Sequence, residues 1–170
     1  MSVYILGTGL SHDGSACLIK DGKIVVAIEK ERLTCIKHDG GNDSAAVKYC
    51  LEAVGIGVSD LTLIVQAANF EIDIKPDRYS GQRYFEKDIE IPMITLSHHM
   101  AHAWGAAATA PFSECNVMVI DGAGSPYYQC LDIGGAIVPD YLFQEALFCE
   151  KDSFYYFDGK TLKPLYKDFS

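Results

Sequence analysis

The stretch VYILGTGLSHDGSACLIKDGKIVVAIE, Val3 to Glu29, decides the fold. It holds three short β-like runs, Val3 to Gly7, Ser15 to Ile19 and Lys23 to Glu29. Gly7-Thr8-Gly9 breaks the first run, and Lys20-Asp21-Gly22 joins the second to the third. An Asp-Gly pair between apolar runs is a strong short-range signal for a hairpin. Three consecutive antiparallel strands are therefore expected to open the fold.

Beyond Glu29 the chain is charged as far as Asp39, and Gly40-Gly41 then breaks it. Asn42, Asp43 and Ser44 offer helix N-caps for a segment in which Ala46, Val47, Cys50, Leu51 and Val54 follow a 3.6-residue period, with Gly55 as the stop. Leu61 to Ala67 is almost continuously apolar, as a strand covered on both faces would be. From Phe70 to Glu90 the pattern fails, with mixed charge, Pro76 and Gly81, which predicts a loop or short-helix insertion at a substrate or partner surface. Ile91 to Leu96 reads as a strand leading into the Ala-rich helix SHHMAHAWGAAA, which Pro111 closes. Asn116 to Ile120 begins a fresh strand. Alternation from Tyr127 to Val138 and from Tyr141 to Cys149 predicts a hairpin or meander, and the tail carries another Asp-Gly turn.

The order βββ-α-β-(α)-β-α predicts an α/β fold of the kind that matches the ribonuclease-H-like lobe of the actin, sugar-kinase and heat-shock ATPase superfamily. Residues 1–115 would form a first actin-like lobe, and 116–170 the opening strands of an incomplete second one. In that architecture glycine turns from the first hairpin of each lobe reach toward nucleotide phosphates. Gly9, Asp13, Gly14 and Ser15 would belong to the first turn, and Gly122 and Gly124, after Asp121, to the second. Asp13 either faces the nucleotide or stabilises its own turn.

A net charge of -9 argues against a DNA-binding surface, which needs clustered Lys and Arg to meet phosphates. Six cysteines (Cys17, Cys35, Cys50, Cys115, Cys130, Cys149) stand apart without a C-x-x-C, the pattern of reduced, mostly buried thiols in a cytoplasmic protein. MSVYILGTG lacks the basic and long apolar regions of a signal peptide, and no run approaches the length of a membrane span.

The histidines carry the chemistry. His98 and His102 stand four apart on the Ala-rich helix, so their Cβ atoms stack on one face about 6 Å apart. The apolar run NVMVIDG ends in Asp121, which offers a carboxylate from a strand tip. Two His and one Asp suit an open site for iron, zinc or manganese, not the all-oxygen shells of calcium or magnesium. His99 points about 100° away from the pair, as an outer or structural residue would.

The segments GLSHDGSACLIKDGKIVVAIEKERLTCIKHDG, SHHMAHAWGAA and VMVIDGAG together resemble the N-terminal part of the O-carbamoyltransferases that tailor nodulation factors and antibiotics. These are related in this domain to the tRNA threonylcarbamoyl transferases. The resemblance runs from about Tyr4 to Gly124. It implies that His98 and His102 are the family's metal-binding histidines, with iron the first choice of metal, and that Asp121 is its aspartate ligand. It further implies that His12 faces the carbamoyl group and that Lys37 contacts its carbamoyl or phosphate portion, with Arg32 and His38 beside it. Members take ATP and carbamoyl phosphate, form carbamoyl adenylate in a separate C-terminal domain, and pass the carbamoyl group to a hydroxyl acceptor in the actin-like domain.

Physical chemistry is compatible with those roles. An imidazole titrates near neutral pH, so His12 is either a general base for the acceptor hydroxyl or a turn histidine bonded to the backbone. Lys37 either offsets charge on a phosphate or carbamate or is an exposed surface lysine. The family also needs the rest of the second lobe, with another carboxylate for the metal, and the adenylate-forming domain. These would come in cis or from a partner chain, and the 170 residues alone are expected to be inactive in full turnover. An alternative is a non-catalytic metal- or nucleotide-binding lobe acting in assembly or regulation. A sugar-kinase-like phosphotransferase ranks last, because it would want an acidic D-x-G turn where this chain has S-H-D-G-S.

Overall fold

The computed structural model describes residues 2–10, 13–67, 83–85, 89–133 and 148–170. Its elements run β1 (Tyr4–Gly9), β2 (Ser15–Lys20), β3 (Lys23–Glu29), α1 (Lys30–Thr34), α2 (Ser44–Val54), β4 (Leu63–Ala67), β5 (Met93–Leu96), α3 (His98–Thr109), β6 (Cys115–Ile120), β7 (Glu150–Phe157) and β8 (Leu162–Phe169). The chain divides into two compact units, Met1–Thr95 and Leu96–Ser170.

In the first unit β1, β2 and β3 form the expected antiparallel meander, with Tyr4 opposite Lys20 and Ser15 opposite Glu29. Asp21 (φ 49°) and Gly22 (φ 79°) both adopt positive φ, as a two-residue type I′ hairpin turn demands. The Asp21 carboxylate also accepts the Val3 N–H at 2.8 Å. β4 then joins β1 in parallel, Ile5 beside Leu63, giving the order β3-β2-β1-β4-β5. Three antiparallel strands with a parallel β4 on the other side of β1 make this a ribonuclease-H-like, actin-like α/β fold.

Helix α2 covers one face of that sheet. Its Ala46, Val47, Cys50 and Leu51 pack with Leu6, Leu18, Leu61 and Ile64. Each fully buried Leu or Ile contributes about 1.5–3 kcal/mol relative to exposure. Gly55 ends the helix in the left-handed region (φ 70°), its N–H donating back to Leu51 and Glu52. Asp43 is the N-cap residue, yet its side chain makes no cap bond; Oδ1 instead accepts the Tyr84 N–H at 2.7 Å. Asp43 therefore fastens residues 83–85 to the core.

In the second unit β6, β7 and β8 form an antiparallel sheet in chain order. Met100, Ala103 and Ala107 of α3 pack on Val117, Val119, Tyr155 and Phe157 of that sheet. This packing groups α3 with the strands that follow it, so the first compact unit ends earlier than the 1–115 lobe expected from element order. The Asp158-Gly159 turn joins β7 to β8, with Asp158 Oδ1 accepting the Lys160 and Thr161 N–H groups. Tyr127 to Gln129 is a 3-10 turn instead of the strand that alternation predicts. Tyr127 packs its ring edge-on against Phe169, and its N–H donates to the Phe148 carbonyl. Residues 134–147 of the expected hairpin, and most of the irregular stretch from Phe70 to Glu90, lie outside the described residues.

All six cysteines are free thiols, though only Cys50 and Cys130 are buried and Cys35 is exposed. Among the described residues no helix is long and apolar enough to cross a membrane.

Candidate metal centre

Three ligand-bearing side chains meet in the second unit. His98 Nε2 lies 2.7 Å from Asp121 Oδ2 and 3.0 Å from His102 Nε2. One donor atom from each of the three falls within 4.8 Å of the others. The imidazole rings of His98 and His102 stand nearly perpendicular, with centroids 4.5 Å apart. The helical i, i+4 spacing stacks the two histidines, and β6 delivers Asp121 from its end.

The donor set fits a divalent transition metal. A single imidazole nitrogen carries either one proton or one lone pair. His98 Nε2 faces a carboxylate oxygen, which only accepts, and a second imidazole nitrogen at nearly the same distance. Protein groups alone satisfy that arrangement poorly. A common ion satisfies it well: neighbouring ligands about 2.1 Å from one ion, at near right angles, stand about 3 Å apart. The ionisation states favour it too. Burial, then the neighbouring His102, lowers the His98 pKa and favours the neutral ring that a metal ligand needs. Burial alone would raise the Asp121 pKa, but the Gly122 N–H and His98 bonds outweigh it and hold the carboxylate ionised.

The supporting structure is denser than the three ligands. An α-helix leaves the N–H groups of its first turn without intrahelical partners, and in α3 those of His98, His99 and Met100 all find side-chain acceptors. Ser125 Oγ accepts the His98 N–H at 2.9 Å, and Glu150 Oε2 accepts that of His99 at 3.1 Å. Ser97 supplies its side chain to Met100 and its carbonyl to Ala101. Glu150 is fully buried and pairs through Oε1 with Lys167, which is equally buried and also pairs with Asp132 at 2.8 Å. His99 is fully buried as well, its Nδ1 2.7 Å from Ser153 Oγ, so it packs on the sheet away from the ligand pair.

Sequence reading singles out neither Glu150 nor Lys167, and the reason is local. The β7–β8 register skips Lys151 between the Glu150–Phe169 and Asp152–Asp168 pairs. A bulge of this kind reverses the inward alternation, so Glu150 turns inward with Ser153, Tyr155 and Phe157. A second irregularity, at Leu165, which the register skips between the Phe154–Tyr166 and Tyr155–Pro164 pairs, does the same for Lys167 and Phe169. No local signal separates these two from the other charged residues of the same hairpin, such as Lys151, Asp152, Lys163 and Asp168.

The remaining candidates occupy the first unit, except for Gly122 and Gly124. His12 lies outside the described residues. Lys37 is exposed, with Nζ 3.3 Å from Glu31 Oε2. Glu31 also accepts the His38 N–H at 3.2 Å, which, with Lys37 and Arg32 nearby, outweighs desolvation and lowers its pKa. Glu31 thereby shapes the loop that carries Lys37. Asp13 lies 3.1 Å from His38 Nδ1. Gly14 sits where a Cβ would fall 2.4 Å from the Asn42 carbonyl oxygen, and at Gly9 a Cβ would meet Ser15 Oγ at 2.7 Å. Lys30, largely buried, holds this region together by donating to the Gly40 carbonyl and pairing with Asp39 at 2.8 Å. In the second unit the Gly122 N–H donates to Asp121 Oδ1 and the Gly124 N–H to the Glu150 carbonyl, so both engage protein acceptors.

Comparison with known proteins gives these groups a context. Nodulation protein NolNO of Sinorhizobium fredii is 29% identical over 91% of this chain and 25% of its own length. The uncharacterized protein sll1178 of Synechocystis is 29% identical over 71% of this chain and 26% of its own. The chain thus spans about a quarter of the length of these relatives. The solved structure of YeaZ from Pseudomonas aeruginosa aligns with a TM-score of 0.45 at 11% identity, covering 95% of this chain and 64% of that one. The family described as carbamoyltransferase N-terminus matches residues 4–90, just over half of the sequence. This chain belongs to the carbamoyltransferase N-terminus family.

Proposed function

We propose that the chain is the metal-bearing N-terminal portion of an ATP-dependent O-carbamoyltransferase. The observation that carries this reading is the convergence of His98, His102 and Asp121 in a chain of the carbamoyltransferase family. Carbamoyl phosphate is the carbamoyl source and carbamoyl adenylate the activated donor, with the adenylate-forming domain supplied in cis or by a partner chain. A hydroxyl of a small-molecule acceptor is the destination.

In the transfer step the acceptor oxygen bonds to the carbamoyl carbon while the bond from that carbon to the adenylate oxygen breaks and AMP leaves. His12 takes the hydroxyl proton as general base. Lys37, tethered by Glu31, presents its ammonium to the phosphate or carbamoyl oxygens. The first-hairpin turn, with Gly9, Asp13, Gly14 and Ser15, faces the nucleotide. Iron, zinc or manganese held by His98, His102 and Asp121 would supply Lewis-acid polarisation of an oxygen of the donor.

Transfer of label from carbamoyl phosphate to a panel of hydroxyl acceptors tests the reading, with ATP and the adenylate-forming domain of a relative present. Label should reach an acceptor only when both ATP and that domain are present. Substituting His12→Ala should lower the rate by about 100-fold or more, the scale of a lost general base. No transfer to any acceptor, with carbamoyl adenylate accumulating normally, would instead favour a non-catalytic lobe.

A further inference from the structure

We propose that Glu150, assisted by Ser125, is the positioning clamp of the metal centre. Its carboxylate ties the helix that carries His98 and His102 to the turn that follows Asp121, and so sets the spacing of the three ligand atoms. The inference rests on the reading that these three residues hold a divalent ion.

Glu150 Oε2 accepts two backbone N–H groups at once. One belongs to His99 in the first turn of α3, at 3.1 Å, and the other to Ser125, at 3.0 Å. The first fixes the helix beside His98, and the second fixes the chain four residues beyond Asp121. Ser125 closes the loop by accepting the His98 N–H on its own Oγ at 2.9 Å. Backbone bonds reinforce the same junction. Glu150 N–H donates to the Ser125 carbonyl, Gly124 N–H to the Glu150 carbonyl and Asp121 N–H to the Lys151 carbonyl.

The turn is pressed close against the clamp. A Cβ at Gly124 would lie 2.8 Å from Glu150 Oε2 and 2.8 Å from His99 Cδ2. Any side chain there would force the turn or the buried Glu150 and His99 side chains to shift. Lys167 holds the other carboxylate oxygen, so rotating Glu150 out of this position would break its pair with a buried cation. A carboxylate at a helix N-terminus also meets the positive end of the helix dipole. Outer partners of this kind orient metal ligands, and their loss typically lowers metal affinity about 10–100-fold.

The test uses cobalt(II) as a spectroscopic probe of the full chain, with affinity and visible absorption bands followed alongside the thermal midpoint. Glu150→Gln should weaken cobalt binding by about 10–100-fold and alter the bands, because the amide turns a donor toward Lys167 and loosens the grip on the two N–H groups. Ser125→Ala leaves the Glu150–Lys167 pair intact and should weaken binding several-fold, which keeps the proposal testable should Glu150→Gln fail to fold. Asp132→Asn removes an ionic partner of Lys167 that also accepts the Tyr155 hydroxyl and, unlike Glu150 and Ser125, receives no N–H from α3 among the described residues. It should lower the midpoint while leaving cobalt affinity and spectrum unchanged. The clamp is overturned if Ser125→Ala and any folded Glu150→Gln bind as wild type does, or if Asp132→Asn weakens binding as much as they do. Failure of the underlying metal reading looks different: cobalt would then bind wild type and a His102→Ala variant alike, or neither.

Discussion

Lys167→Ala is expected to destabilise the second unit by about 3–5 kcal/mol, the range for breaking a buried ion pair from one side. Lys167 is fully buried, with Nζ against Glu150 and Asp132, 3.4 Å from Ser97 Oγ and 5.4 Å from the centre of the Tyr155 ring. Removing it leaves the fully buried Glu150 carboxylate and the largely covered Asp132 carboxylate close together without a cation. A domain of ordinary stability has only about 5–15 kcal/mol in hand, so the loss should be plain in urea unfolding.

The pH dependence follows from the direction of the lysine shift. Burial alone would lower the Lys167 pKa, but Glu150 and Asp132 outweigh it and raise it above its ordinary value. The folded state therefore holds this proton more tightly than the unfolded chain does. The stabilisation is fully present below the unfolded lysine pKa of about 10.4 and is lost only as pH rises through the higher folded value. Urea midpoints of wild type and Lys167→Ala from about pH 7 to about pH 11 measure this: the gap between them should hold steady up to about pH 10 and narrow above it.

The second large effect falls on the ligands. His98→Ala/His102→Ala should reduce cobalt or zinc affinity on the order of a thousand-fold or more, beyond the 10–100-fold typical of outer partners. Without metal the same variant should lose at most about 1.5–3 kcal/mol, the scale of the His98 hydrogen bond to the Asp121 carboxylate. The face of α3 that packs on the sheet is built from Met100, Ala103 and Ala107 and is untouched, whereas His102 is exposed. Added metal at about 100 times its dissociation constant should then stabilise wild type by about 2.7 kcal/mol and the variant not at all. Melting curves with and without metal separate a ligand role from a packing role in one experiment.

The parts of this molecule that were legible in its sequence are those governed by local rules. Asp21-Gly22 announces its hairpin because few other pairs tolerate two positive φ values in succession. The apolar period of α2 and its Gly55 stop are visible because each depends on residues within one helix. The stacking of His98 on His102 could be read for the same reason, from a four-residue helical spacing, and Asp121 at its strand tip joins them in the structure.

What escaped depends on long-range register. Glu150 and Lys167 face inward only because β-bulges shift the alternation of their strands, and no local pattern marks a bulge. Tyr127 has a strand-like alternation around it but turns to pack on Phe169, forty-two residues later in sequence. Asp43 looks like an ordinary N-cap, yet tertiary structure claims its carboxylate for the Tyr84 N–H. The glycine at 124 signals a turn, while its tight fit against Glu150 and His99 emerges only in three dimensions.

The most direct measurement is a crystal structure of the metal-loaded chain with anomalous scattering recorded at the absorption edge of the added ion. The account predicts one strong peak bonded to His98 Nε2, His102 Nε2 and an Asp121 carboxylate oxygen, each at about 2.0–2.2 Å. A loaded crystal with the ion elsewhere, and with His98 still hydrogen-bonded directly to Asp121, would contradict it.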